Sequence, residues 1–159
     1  MAKIGRMTDI AIRLITPPEL GLAADMRERM TRELQDDENA PVDRQLHDRF
    51  VEFYRTRMAA GTSATFVAER GDSFCGLASV YKLVNHRSEI FRQPSAYVSN
   101  VYVEPQQRRK GFATALTLRC IDWAREHGCV IVRLRTSKLG RHVYAAMGFS
   151  QSDEMELPL

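Results

Sequence analysis

The chain reads as an α/β (α+β) domain, helices carried on a mixed, mainly antiparallel sheet. Three observations predict it. Alternating runs of β-branched and aromatic residues recur along the chain, as half-buried strands require. Between them lie apolar stripes of helical spacing. A Gly71-Asp72 turn joins two strand-like runs as a hairpin, whereas Ala96 to Arg135 reads strand–helix–strand, with a crossover long enough for a parallel pair. At 159 residues, the span 1–159 is expected to be one domain with a real hydrophobic core.

Ile10, Ile12 and Leu14 alternate with polar neighbours and give a first strand, stopped by Pro17-Pro18. Thr16 is placed to cap the next helix, its hydroxyl accepting from an early helical N–H with Glu19 three residues on. Leu22, Met26 and Met30 mark that helix's face, which runs to about Gln35, and Gln35 to Pro41 is a polar break. Leu46, Phe50, Phe53, Tyr54 and Met58 mark a second helix, closed by Gly61. Thr65–Arg70 and Phe74–Val84 form the hairpin, and Asn85–Ser95 is a polar loop. A strand from near Ala96 ends at Pro105. Gly111 then opens the stripe Phe112, Ala113, Leu116, Cys120, Trp123 and Ala124, and Gly128 supplies a C-cap. Cys129–Arg135 is expected as a strand with a buried, alternating face, Leu139, Val143 and Met147 as a short helix, and Phe149–Leu157 as a last strand.

The chain is organised around Val101-Tyr102-Val103-Glu104-Pro105-Gln106-Gln107-Arg108-Arg109-Lys110-Gly111-Phe112-Ala113-Thr114. A strand, a stop, a basic glycine-bearing loop and a helix start follow one another. The first N–H groups of a helix lack internal partners and its dipole favours negative charge there, so this is a place for phosphate.

Arg108-x-x-Gly111-x-Ala113 resembles the Gln/Arg-x-x-Gly-x-Gly/Ala signature of the GNAT acyltransferases, the Gcn5-related N-acetyltransferases. Tyr144-Ala145-Ala146-Met147-Gly148-Phe149 is similar to the family's Tyr-x-x-x-Gly-Phe segment. The resemblance implies a GNAT-like fold, a mixed, mainly antiparallel sheet with a central splayed parallel strand pair, flanked by helices. It implies acetyl-CoA as donor, with coenzyme A as product, and transfer to a primary amine by direct attack. The pantetheine arm is then expected along Val101, Tyr102 and Val103, bonded by backbone groups of Val101 and Val103. The pyrophosphate is expected on the segment Arg108, Arg109, Lys110, Gly111, Phe112, Ala113 and Thr114, with Arg108 shaping the loop. Arg109 stands where the family often has a second glycine, which leaves the backbone less free.

Tyr144 is the expected catalytic residue, also touching the cofactor: a phenol near the departing thiolate stabilises its charge. With a reference pKa of about 10 against about 8.5 for a thiol, it is expected to donate a hydrogen bond, the proton following late. The alternative is that Tyr144 rims the core. The strand from Ala96 to Val103 holds no carboxylate or histidine, so Glu104 is the nearest candidate base; a surface strand-end residue and proton loss to water are the alternatives. Ser137 either reaches the cofactor arm or caps a helix, and Asn100 either holds a strand irregularity or contacts the acceptor. Asp36, Asp37 and Glu38 either attract a cationic amine or form a solvated turn.

A net charge of +3 and pI near 8.9 are too mild to argue for nucleic acid. Cys75, Cys120 and Cys129 lack metal-ligand spacing and read as buried hydrophobes in a reducing compartment; the four histidines have no partners at such spacing either, so no metal is expected. No stretch is long enough to span a bilayer and the first sixteen residues lack a signal-peptide core, so a cytoplasmic protein with no membrane partner is expected. The acceptor, a small-molecule or protein amine, has no readable code; Pro17–Gly61 and Asn85–Ser95 are expected to form its pocket. A homodimer is the expected assembly if there is one. The rival functions are a non-catalytic acyl-CoA sensor and a nucleic-acid module built on the same basic residues.

Overall fold

The computed structural model describes residues 10–36, 43–84, 94–138 and 140–159. In chain order, β1 (Ile10–Leu14) leads through a 3-10 turn (Pro17–Glu19) to α1 (Leu20–Leu34) and α2 (Arg44–Ala59). The hairpin β2 (Ser63–Arg70) and β3 (Ser73–Leu83) follows, then β4 (Ser95–Val103), a 3-10 turn (Pro105–Gln107) and α3 (Phe112–Glu126). β5 (Ile131–Leu134) and the short α4 (Arg141–Ala146) complete the regular structure.

The five strands lie in chain order in one sheet. β1 to β4 pair antiparallel and β4–β5 is parallel, Ser95 opposite Ile131 through Val98 opposite Leu134. Successive strand residues face opposite ways, so the sheet feeds two cores. Phe66, Val80, Val98 and Val103 meet Phe112, Leu116, Cys120 and Trp123 of α3 on one side. Val67, Leu77 and Tyr102 meet Leu20, Ala23, Met26 and Tyr54 of α1 and α2 on the other. The expected mixed, mainly antiparallel sheet flanked by helices is thus found.

Several local expectations need correction. Phe149–Leu157 forms no strand: it makes no ladder and its large apolar side chains Met155 and Leu157 are exposed. Instead Arg135 Nη2 pairs with Glu156 at 3.1 Å, and Arg133 Nε lies 3.9 Å from Glu154, so charge rather than backbone pairing ties the tail to β5. With no strand beyond it, β5 shrinks to four residues, none of them fully buried, in place of the buried alternation expected over Cys129–Arg135. Leu22 points outward, and α1 buries Leu20, Ala23, Ala24 and Met26 instead. Ile10 and Leu14 are exposed, and the buried residue is Ile15, just past β1. Thr16, by contrast, marks the helix start as expected, in a capping box with Glu19: its backbone N–H donates to Glu19 Oε2 at 2.8 Å and its hydroxyl lies 2.7 Å from the same oxygen. The parts of the expected loops at Asp37, Glu38 and 85–93, and Leu139, lie outside the described residues.

Candidate active site

The site grows from an irregularity in β4. Ser79 pairs with Ser99 but Leu77 pairs with Tyr102, so β4 carries an extra residue, and Asn100 takes φ +54°. Such a bulge bends its strand and sharpens the twist. On the other side β4 keeps β5 only through Val98. From Ser99 to Val103 the strand therefore has β3 on one edge and no ladder on the other among the described residues. Asn100 Nδ2 donates to the Tyr54 hydroxyl at 2.8 Å, and the Tyr54 and Ser99 hydroxyls are 2.9 Å apart. Burial raises the Tyr54 pKa, opposed by its hydrogen bonds to Ser99, Ser79 and Asn100, so the network is built on a neutral phenol. Asn100 thus both holds the bulge and reaches the neighbouring cleft.

Below the bulge, Pro105 stops β4 and the chain enters the basic loop. Arg109 adopts φ +59° and Gly111 φ +83°, the second as the N-cap of α3. Arg109 thus adopts the left-handed backbone that a glycine takes freely. From Arg109 to Thr114 no backbone N–H donates to a carbonyl among the described residues, and no side chain caps the helix. Arg108 turns back: its Nε donates to Val103 O at 2.9 Å, its guanidinium forks onto Glu33 of α1 with one contact at 2.7 Å, and it lies over the Tyr102 ring. Hydrogen bonding from Arg108 first, then its charge, lowers the Glu33 pKa against the opposing effect of burial. Lys110 Nζ donates to Gln106 O and Gln107 Oε1, both at 3.0 Å. The side chains of Tyr102 and Phe112 are buried in the two cores, while Val101 packs half-buried towards α3. Only backbone groups of these residues remain for a ligand.

Two clefts flank this region. The first, about 790 Å³, lies among β5, α4 and the tail, and its wall includes Tyr97, Ile121, Leu134, Tyr144 and Phe149. Tyr144 packs edge-on against Phe149, and burial first, then the nearby Cys120, raises its pKa. Its hydroxyl has no hydrogen-bond partner among the described residues. Ser137 Oγ accepts at 3.2 Å from the N–H of Gly140, the N-cap of α4, and so fixes the turn before that helix without capping it. Glu104 is bound to Arg29 Nη2 at 2.8 Å and lines neither cleft, so its carboxylate ties the loop to α1.

The second cleft, about 700 Å³, opens between α1 and α2 and reaches Tyr54, Ser99 and Asn100 at the bulge. Leu46, Phe50 and Phe53, an apolar stripe in the sequence, form its wall; Leu46 and Phe53 stay exposed. Arg27, Glu28 and Tyr54 also line it. No sequence signal singled out Arg27 or Glu28, whose spacing is that of an ordinary helix surface. Among the described residues no group of His, Cys, Asp and Glu could hold a metal, and no helix is long and apolar enough to cross a membrane.

Comparison with known proteins agrees with this geometry. A predicted acetyltransferase of Clostridium acetobutylicum, crystallised with acetyl-CoA, superposes with TM-score 0.78 at 23% identity, covering 94% of this chain and 96% of that one. A GCN5-related N-acetyltransferase of Ralstonia eutropha JMP134 gives 0.77 at 26% identity, over 94% and 98% of the chains. The aminoglycoside N(6')-acetyltransferase type 1 of Serratia marcescens is 28% identical over 101 residues, 62% of this chain. That match spans 64% of the relative's length. The profile of the acetyltransferase (GNAT) family matches residues 26–149, across α1 to Phe149, and the chain belongs to that family.

Proposed function

We propose that the protein is an N-acetyltransferase that moves an acetyl group from acetyl-CoA to a primary amine by direct attack. One observation carries the reading: the unpaired edge of β4 at Ser99–Val103 runs into the unengaged N–H row at Arg109–Thr114. An extended amide-bearing arm suits the first and a pyrophosphate the second. That continuity fits a coenzyme A thioester, as does the acetyl-CoA found with the Clostridium acetobutylicum relative.

When bound, acetyl-CoA supplies an activated acyl group with a thiolate leaving group. Val101 offers its backbone to the arm. Val103 offers less, because one lone pair of its carbonyl already accepts from Arg108. The N–H groups of Arg109, Lys110, Gly111, Phe112, Ala113 and Thr114 hold the pyrophosphate, Arg108 setting the loop's shape through Glu33 and Val103. Tyr144 stays a neutral phenol, since burial raises its pKa. It acts by donating a hydrogen bond to the developing thiolate rather than by giving up its proton early. Ser137 holds the turn ahead of α4 through the Gly140 N–H rather than serving the cofactor. Glu104, held by Arg29, is poorly placed to take a proton, and the amine loses its proton to water. Cys75, Cys120 and Cys129 are buried, and burial pushes the Cys120 thiol far up, which disfavours an acyl-enzyme. The amine reaches the reacting carbonyl through the cleft between α1 and α2.

Calorimetric titration with acetyl-CoA and with coenzyme A, followed by thiol-release assays over amines, tests this. Micromolar binding with amine-dependent thiol release is expected. Binding without release under any amine points to a sensor, and no binding of either ligand overturns the proposal.

A further inference from the structure

The acceptor class can be drawn from the charges inside the α1–α2 cleft, an inference that rests on the acetyltransferase reading above. The cleft is lined by the cations Arg27, Arg32 and Arg49 against the carboxylates Glu28 and Asp43. These groups are not equally available. Asp43 is the N-cap of α2, its Oδ1 accepting the Gln45 N–H at 2.9 Å. His47 Nε2 contacts Asp25 at 3.3 Å, outside the lining. Arg27 touches the Thr31 hydroxyl, a neutral partner, and neither it nor Arg49 forms an ion pair among the described residues. Among the described residues Glu28 Oε1 is buried without a hydrogen-bond partner.

A buried carboxylate oxygen without a donor is costly, so a turn of the Glu28 carboxylate into the cleft it lines is favoured where an ammonium or amine N–H can donate to it. Guanidiniums without carboxylates favour planar oxyanions, which they bind through paired N–H bonds. The rest of the wall is apolar and aromatic: Leu46, Phe50, Phe53, Tyr54 and Tyr81. A polycation would meet two unpaired arginines and one available carboxylate. We propose that the acceptor is a small amine that also carries one anionic oxygen group, a carboxylate or a phosphate, and an apolar body. Its amine is received at Glu28, its anion at Arg27 and Arg49, and its body lies on the aromatic wall. This separates the protein from an enzyme for polycationic aminoglycosides, although the Serratia marcescens relative and several proteins of the same fold act on that class by name.

The test uses matched amines with and without the anion: L-phenylalanine against phenethylamine, and phosphoethanolamine against ethanolamine, with neamine as the polycation. Thiol release from acetyl-CoA is followed at low ionic strength. At least one anion-bearing amine is expected to exceed its partner by about tenfold or more in kcat/KM, the preference shrinking with added salt; which pair shows it identifies the anion. Arg27→Gln and the exposed Arg49→Gln should each reduce that ratio several-fold, and Arg49→Gln, at the surface, guards against a folding defect. Equal rates within both pairs, or neamine as the best substrate, overturn the proposal. Calorimetry of the same pairs with coenzyme A-saturated protein separates the two readings. An anion preference in binding without turnover of any amine refutes acetyl transfer and keeps the cleft assignment. No preference in either measurement removes it.

Discussion

Gly111→Ala isolates the backbone contribution of the basic loop. A Cβ built at Gly111 meets nothing within 4 Å, so the substitution adds no clash. The φ of +83° is the whole difficulty. An L-residue in the left-handed region costs about 1–2 kcal/mol. That cost has two places to appear. If the loop keeps its shape without ligand, the strain resides in the folded protein; the unfolding free energy falls by that amount, the urea midpoint falls in proportion, and acetyl-CoA affinity is unchanged. If the loop relaxes, stability is spared and the strain falls on binding, weakening the Kd by about 5- to 30-fold. The two losses should sum to about 1–2 kcal/mol, however they divide. Urea denaturation and calorimetric titration on the same preparation measure both. Full stability together with unchanged affinity would refute the claim that this conformation is needed at α3's N-terminus. Arg109→Gly is the mirror experiment: relief of strain at φ +59° is offset by the added freedom of glycine in the unfolded chain, and a small change is expected.

Tyr144→Phe should lower turnover by about 10²-fold or more, the scale of losing one transition-state donor, with acetyl-CoA affinity kept; unchanged turnover removes Tyr144 from the chemistry. Gly76→Ala should destabilise by about 1–3 kcal/mol, because the new methyl would sit 2.7 Å from the backbone oxygen of Tyr102; a thermal midpoint equal to the parent's would contradict that packing. Arg13 bonds Glu19 at 2.7 Å and Glu69 at 2.6 Å, and with Thr16 it pulls the Glu19 pKa from 4.5 to about 2. The stability this provides is complete above about pH 4.5 and is lost as pH falls towards 2. The midpoint gap between the parent and Glu19→Gln should be constant at neutral pH and close across that window, and a gap independent of pH would refute it.

The segment from β4 to α3 was legible because its determinants are local: Pro105 ends a strand, Gly111 opens a helix, and Phe112, Leu116, Cys120 and Trp123 repeat at helical spacing. The bulge was legible only as one of two readings of Asn100, since the side chains of Val98-Ser99-Asn100-Val101-Tyr102-Val103 do not say whether a residue drops out of register there. Only the φ of Asn100 and the jump from Ser79 to Leu77 reveal it. The tail misled for a related reason. Phe149, Met155 and Leu157 look like strand residues, but a strand exists only if a neighbour accepts it, and here acidic side chains meet Arg133 of β5 and Arg135 just beyond it instead. On α2 the periodicity marked the helix, and the structure divides the stripe: Leu46 and Phe53 line a cleft and stay exposed, whereas Tyr54 is buried.

The half-paired stretch of β4 also bears on how the purified protein behaves. A row of backbone groups with one side open is a template on which another polypeptide can settle. Part of that row is shielded, since Arg108 covers the carbonyl of Val103 and the bulge twists the strand. Ser99, Asn100 and Val101 stay half-buried and within reach of solution. Storage without a ligand on that edge should therefore favour slow, concentration-dependent self-association, and coenzyme A in the buffer should act as a preservative of the monodisperse state.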